Sequence, residues 1–377
     1  MSLGAGTALP HQPRGGIALK AAICQQFAQP LVIADVKLDP PGAGEVQVRM
    51  KACGICHSDI HYMDGFWGGN LPVILGHEGA GIVEAVGSGV TGCQPGDRVA
   101  VGLMRHCDTC FHCEHDEHFL CGTEFPLDRE TRLHAADGAA LGQGLRTGAF
   151  AEQVVVEQSQ VIPLPDAVPF EAAALLTCGV LTGWGAVVRT AQVPAGSRVG
   201  VIGIGGVGIN SVQAAAIAGA ETIVALDFED EKLRLAKEFG ATHAVNARSA
   251  DVNAVISEVT AGLGLDYVFV TVGSSKAVEQ GLGMTRRGGA LVLVGMPADD
   301  DRLTHQVGDL AGDHKRILGS KMGGASARRD LPMLATEYLK GALKLDELVS
   351  GRFALDDINR AIDEVRRGGA LRNVIVF

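Results

Sequence analysis

The chain has 377 residues, of which 47% are hydrophobic and 20% charged, and its net charge at neutral pH is −11. That length holds two or three domains with a sizeable core, and the composition excludes disorder. The acidic balance excludes a nucleic-acid or anionic-membrane surface, both of which need dense Lys/Arg patches, and no uninterrupted apolar run approaches the ~20 residues of a membrane span.

The opening MSLGAGTALPHQPRGG has no apolar signal core, so residues 1–18 are read as a flexible tail. Without an export signal the protein is expected in the cytoplasm with its nine cysteines reduced, where metal binding is favoured over disulfides. From about Ala21 to Leu176, short Val/Ile/Leu runs are broken by Gly and Pro, as in IADVKLDPPGAGEVQVRMKACGIC. Such spacing predicts an irregular, strand-rich domain.

Within that region HCDTCFHCEHDEHFLC places Cys107, Cys110, Cys113 and Cys121 in one loop. Four thiolates so close suit a closed tetrahedral zinc site, which leaves no open position and is therefore structural. The interleaved His106, His112, His115 and His118 are competing ligands, and a set of free or disulfide-bonded cysteines is the plainer alternative. Three further segments carry ligand-type residues: Cys56 in GICHSDIHYMDG, His77 and Glu78 in GHEGAGIVEAVGSGV, and Cys178 in LLTCGVLTGWGA. Two thiolates and one imidazole would leave a fourth position for water or an alcohol oxygen. Taken singly, such a Cys is usually a small buried hydrophobe and such a His a satisfied core or surface residue. Spacing alone does not bring these segments together.

From Gly196 apolar strands alternate with helices: SRVGVIG and TIVALD, then DYVFVTVG and GALVLVGMP, with VGINSVQAAAIAG and EDEKLRLAKEFG as helices. This pattern predicts a parallel sheet covered on both faces. Gly203, Gly205 and Gly208 complete G-x-G-x-x-G between the first strand and the first helix, with Gly206 and Val207 inside it. Asp227 ends the next strand, nineteen residues after Gly208. In that context the motif reads as a dinucleotide site, with a glycine-rich turn of some other α/β protein as the competing reading. Asp227 would accept hydrogen bonds from both ribose hydroxyls and repel a 2′-phosphate, favouring NAD over NADP. From about Lys321 the chain reads as helix, loop, helix (DDINRAIDEVRRG) and a closing strand, LRNVIVF, expected to return to the first sheet.

Over about residues 20–377 the chain resembles the zinc-containing medium-chain alcohol dehydrogenase family. The likeness rests on GHE with its spaced glycines, the four-cysteine loop, the GxGGVG fingerprint, and the separate GIC and TCG motifs. It implies an α/β protein with a GroES-like β-rich catalytic domain (19–180 and 321–377) interrupted by a doubly wound Rossmann domain (181–320), with the active site in the cleft between them. By that match Cys56, His77 and Cys178 hold a catalytic zinc, and Glu78 beside it coordinates transiently. Asp59 is the carboxylate that fixes the ligating imidazole. Cys24, Cys53 and Cys93 match no ligand position.

The resemblance also implies Ser58 as the first hydroxyl of a proton relay and His61 as its terminal imidazole. Thr182, Val207, Val272 and Val294 would border the cofactor, Lys232 would meet the adenosine ribose, and Arg372 and His57 would approach the pyrophosphate. Many liver-type relatives carry Arg where His57 stands, so faster cofactor release is expected here. Trp67, Leu103, Trp184 and the segment between Cys121 and Gly148 are candidates for the substrate lining. The expectation is therefore reversible hydride transfer between an alcohol and NAD, with two zincs per subunit, by a homodimer or homotetramer acting on a small alcohol or aldehyde. A dehydrogenase for thiol adducts of formaldehyde is the enzymatic rival, and a catalytically silent NAD-binding structural or regulatory protein is the rival from another class.

Overall fold

The computed structural model describes residues 16–377 apart from Asp299 and Gly369. Residues 1–15 of the expected tail lie outside the described residues, and the strand Ile17–Cys24 already takes up the last two positions assigned to that tail.

Among the described residues there are three sheets. The expected parallel sheet has the strand order His243–Asn246, Thr222–Asp227, Arg198–Ile202, Leu265–Val270, Thr285–Leu293, Arg316–Gly319, with every pair parallel. Its strands are buried on both faces, which is why they read as continuous apolar runs rather than alternating ones. The chain order reverses between Arg198–Ile202 and Leu265–Val270, the crevice where ligands of doubly wound sheets bind.

The first region is strand-rich, as expected. A larger sheet runs Val161–Pro163, Arg98–Val101, Glu78–Val86, Glu45–Gly54, Arg372–Val376, Val349–Phe353, and Gln153–Glu157 also pairs with Glu45–Gly54. The closing strand does return to this sheet, with Val374 opposite Gly54. A smaller sheet contains Ile17–Cys24 and Val32–Leu38.

One continuous helical stretch, Phe170–Thr190, differs from the sequence expectation. It is long and apolar enough to cross a membrane by length and composition, yet 89% of its most apolar window is buried inside the fold. It runs through the expected boundary between residues 180 and 181. Its small residues let it pack between the two halves: a Cβ on Gly183 would lie 2.4 Å from the Val207 carbonyl, and one on Gly185 would lie 2.7 Å from the Gly323 carbonyl. The largest core cluster accordingly joins Ala52 and Ala80 of the first region with Val201 and Phe269 of the parallel sheet. Two stretches of this helix, Leu176–Val180 and Ala186–Thr190, are π-helical. Such insertions concentrate at functional sites, and the first one carries Cys178.

Candidate functional site

Three segments converge beside the crevice of the parallel sheet. Cys56 stands just before the short helix His57–Met63, His77 and Glu78 sit at the start of Glu78–Val86, and Cys178 lies on the π turn. All four are buried, and their ligand atoms lie within 4.8 Å of one another. His77 Nε2 is 3.4 Å from Cys178 Sγ. Asp59 organises the group from the helix: its Oδ1 accepts from Gly76 N (2.9 Å) and pairs with His77 Nδ1 (2.9 Å), while Oδ2 accepts from Cys56 N (3.3 Å). That pairing leaves Nε2 as the free ring nitrogen facing the thiols. A hydrogen bond from Cys178 holds the Cys56 thiol well below its usual range, with His77 and Arg372 adding to the effect.

Glu78 is the least satisfied member. It is fully buried and neither carboxylate oxygen has a hydrogen-bond partner. Burial pushes its pKa up to about 8 against the pull of Arg372, whose Nη1 lies 3.3 Å from Oε1. Gly54, opposite Glu78 in the sheet, makes room for it: a Cβ there would fall 2.3 Å from Glu78 Oε2.

Arg372 links this cluster to the nucleotide loop. The guanidinium donates to the Ile55 carbonyl at 3.0 Å, and added Cβ atoms on Gly179 or Gly206 would lie 2.3 or 2.2 Å from its Nη2. One buried cation thus passes between the TCG and GxGGVG glycines, a connection that the sequence offered no means of seeing. In the loop itself Gly203 has φ 90°, and a Cβ on Gly208 would lie 1.7 Å from the Gly203 carbonyl, while Gly205 is open to approach. Asp227 closes the loop from the next strand: Oδ2 accepts from Ile204 N at 2.6 Å, and Oδ1 accepts from Phe228 N and Glu229 N at 2.7 and 3.1 Å.

The other expected residues are divided between the crevice, the helix His57–Met63 and the core. Val272 is 39% exposed and touches the Gly203 turn, whereas Val294 is 7% exposed in the core. Thr182 approaches Met322, and Val207 immediately precedes the helix Gly208–Ile217. Lys232 Nζ lies near Gly368, 4.0 Å from where a Cβ on that glycine would stand. Ser58 and His61 are one helical turn apart on His57–Met63, and His57 is solvent-facing. The His61 ring stacks on Phe66 (5.1 Å) and meets Trp67 edge-on (5.6 Å). Trp184 packs into the core with Arg189 over its ring at 5.1 Å.

The second sulfur cluster forms from Cys107, Cys110, Cys113 and Cys121, with Sγ separations of 3.8–3.9 Å. A hydrogen bond from Thr123 draws the Cys107 thiol down to about 5. The interleaved histidines have other partners: His106 meets Asp108, His112 meets Glu117, His115 meets the Phe111 carbonyl, and His118 meets Ser326. His106 and His118 stack at 4.2 Å beside Asp108, a third grouping that the sequence did not single out.

Residues 42–166 match the alcohol dehydrogenase GroES-like domain, and residues 206–338 match the zinc-binding dehydrogenase domain. The chain is 36% identical to an NDMA-dependent alcohol dehydrogenase of Amycolatopsis methanolica, over 95% of this chain and 98% of that protein. It is also 36% identical to a class-3 alcohol dehydrogenase of Oryza sativa, over 95% and 97% of the two chains. The crystal structure of benzyl alcohol dehydrogenase from Acinetobacter calcoaceticus superposes with a TM-score of 0.89 at 31% identity, over 96% of this chain and 99% of that one. Identity of that degree along nearly the whole length of each relative, with both of its domains recognised, places the chain in the zinc-dependent medium-chain alcohol dehydrogenase family.

Proposed function

We propose that the protein is a zinc- and NAD-dependent alcohol dehydrogenase that interconverts an alcohol and its aldehyde or ketone. The observation that carries this reading is the buried Cys56/His77/Glu78/Cys178 cluster, joined through Arg372 to the glycine loop of a parallel sheet. The donor set suits zinc: two thiols and an imidazole with its free nitrogen turned inward make three ligands, the number of a catalytic site. A buried carboxylate with neither oxygen hydrogen-bonded, and only the Arg372 guanidinium beside Oε1 at 3.3 Å, is a further mark of a site built around a cation. The four-sulfur lobe suits a second, structural zinc.

Zinc, when bound, supplies a Lewis acid that lowers the pKa of the alcohol and orients it. The protein's own residues do the rest. Asp59 fixes the His77 tautomer and thereby the position of Nε2. The Ser58 hydroxyl takes the alcohol proton, and His61, one turn further on, exchanges it with water. Asp227 retains lone pairs for the ribose hydroxyls beyond its three backbone donors, and its charge excludes a 2′-phosphate. Arg372, packed against Gly206, would hold the pyrophosphate, with His57 and Lys232 at the flank, and Thr182, Val207, Val272 and Val294 would border the dinucleotide. The setting that accompanies this reading is a cytoplasmic homodimer or homotetramer.

The test is a steady-state panel of primary, secondary, aromatic and thiol-adduct alcohols with NAD, NADP and NDMA as separate acceptors. Turnover with NAD alone, and at least tenfold preference over NADP, is the expected result. Turnover only with NDMA, or a preference for NADP, would overturn the NAD assignment, and turnover confined to thiol adducts would move the substrate class.

A further inference from the structure

Arg105 stands two residues before the first cysteine of the sulfur lobe, and arginine side chains are mostly exposed. Its side chain is instead fully buried. Nε donates to Gln160 Oε1 (2.7 Å), Nη1 to Asp128 Oδ1 (2.7 Å) and Nη2 to the Arg146 carbonyl (3.0 Å). Gln160 extends the network, its Nε2 donating to the Gly102 carbonyl (2.7 Å) and the Arg146 carbonyl (3.0 Å). Asp128 also lies 3.3 Å from the Arg146 guanidinium. A buried guanidinium is costly unless every fork is used, and here each one is aimed at a different segment.

Those segments surround the reaction site. The turn Gly144–Arg146 packs on the His57–Met63 helix that carries Ser58 and His61. The stretch after it forms a ladder with the residues just before His77: Ala149 N donates to the Gly76 carbonyl and Phe150 N to the Leu75 carbonyl, both at 2.8 Å. Gly102 lies against Thr177, the neighbour of Cys178. The turn is held in an uncommon shape, because Leu145 and Arg146 both have positive φ, 47° and 62°. Consecutive non-glycine residues in that region cost about 1–2 kcal/mol each and persist only where their surroundings fix them. The bonds to the Arg146 carbonyl come from Arg105 and Gln160, and Asp128 holds its guanidinium.

We infer that Arg105 is a positioning residue for substrate selection: it clamps the left-handed Leu145–Arg146 turn against the Ser58/His61 helix and so sets the size of alcohol the pocket admits. This inference rests on the alcohol dehydrogenase reading. With the clamp intact the turn stays against the helix that carries Ser58 and His61, and bulky alcohols are held out. With the clamp loosened the turn relaxes toward ordinary φ values, its hold on that helix slackens, and bulky alcohols gain relative to small ones.

The experiment measures kcat and KM for ethanol, a branched secondary alcohol and an aromatic alcohol with NAD, on wild type, Arg105→Lys, Leu145→Gly and the double variant. Lysine keeps the charge but loses the three-way fork, and glycine accepts positive φ without cost. In Arg105→Lys the bulky-to-small ratio of kcat/KM is expected to rise at least fivefold, through KM, with kcat for ethanol within threefold of wild type. Leu145→Gly should shift the ratio in the same direction without lowering thermal stability. The double variant should shift it no further than the larger single, since the clamp acts through the turn. Equal loss on every alcohol, or additive effects in the double variant, would show that Arg105 is only structural and overturn the inference. Should Arg105→Lys not fold, Leu145→Gly decides alone: an unchanged ratio overturns the inference. A wild-type enzyme that turns over no alcohol would instead overturn the function reading.

Discussion

Replacing Asp227 with alanine separates the bonds its carboxylate makes to the glycine loop from the cofactor selection proposed for it. Three backbone N–H groups converge on it, from Ile204 at 2.6 Å, Phe228 at 2.7 Å and Glu229 at 3.1 Å, so the side chain shapes the glycine loop before any cofactor arrives. A hydrogen bond to a charged group contributes about 1.5–3 kcal/mol, but this residue is only half buried and water replaces part of it. We therefore expect a net loss of ~2 kcal/mol in stability from the three bonds, seen as a melting temperature lower by a few degrees. The ribose hydroxyl bonds carry a similar amount, so kcat/KM for NAD should fall about 30-fold, or ~2 kcal/mol. NADP should suffer less, because the charge that repels its 2′-phosphate has gone, and the NADP/NAD ratio should rise at least tenfold. Initial rates with each cofactor at saturating alcohol, beside a thermal melt of the apo form, measure both effects. A ratio unchanged within a factor of two, with the melt lowered as expected, would mean that Asp227 shapes the loop and does not select the cofactor.

Elemental analysis should find two zincs per chain; Cys110→Ala should lose one and melt earlier, because a structural zinc contributes folding free energy. Cys56→Ala should lose the other and all turnover, with little change in the melt. For the proton path, His61→Gln should slow alcohol oxidation about tenfold and recover in high concentrations of buffer base, since water reaches that end, whereas Ser58→Ala should be slower and unrescued. At the far end of the nucleotide sheet burial works against the Asp266 carboxylate, yet Arg198 and Arg286 hold its pKa down to about 2 from an ordinary 3.8. A depressed carboxylate contributes stability above its unfolded pKa and loses it as pH falls through the folded one. Asp266→Asn should thus melt below wild type at pH 6, and the gap should close between about pH 4 and pH 2.

The parallel sheet was legible because strands covered on both faces must be continuously apolar, and its glycine turn announced itself through strand and helix on either side. The helix Phe170–Thr190 was not legible. Glycines at 179, 183 and 185 and hydroxyls at Thr177 and Thr182 interrupt the apolar run, and each glycine answers to a partner distant in sequence: Arg372, the Val207 carbonyl, the Gly323 carbonyl. The gathering of Cys56, His77 and Cys178 was reached through family likeness and not through spacing, since His77 and Cys178 are 101 positions apart. Arg105 gave no signal at all, because burial of an arginine depends on carbonyls and a carboxylate supplied by three other segments.

The two sulfur clusters differ in how early they can exist. Cys107 and Cys121 are fourteen positions apart, so that loop closes at little entropic cost and presents its thiols while the rest of the chain is still open. The Cys56/His77/Cys178 group needs contacts across 101 positions, and the guanidinium beside it bonds a carbonyl 317 positions away. Contacts of such separation form late. With zinc at both clusters, as proposed, a nascent or refolding chain should load its lobe first and its reaction site last, so metal uptake during folding should run in two kinetic steps, with activity returning only on the second.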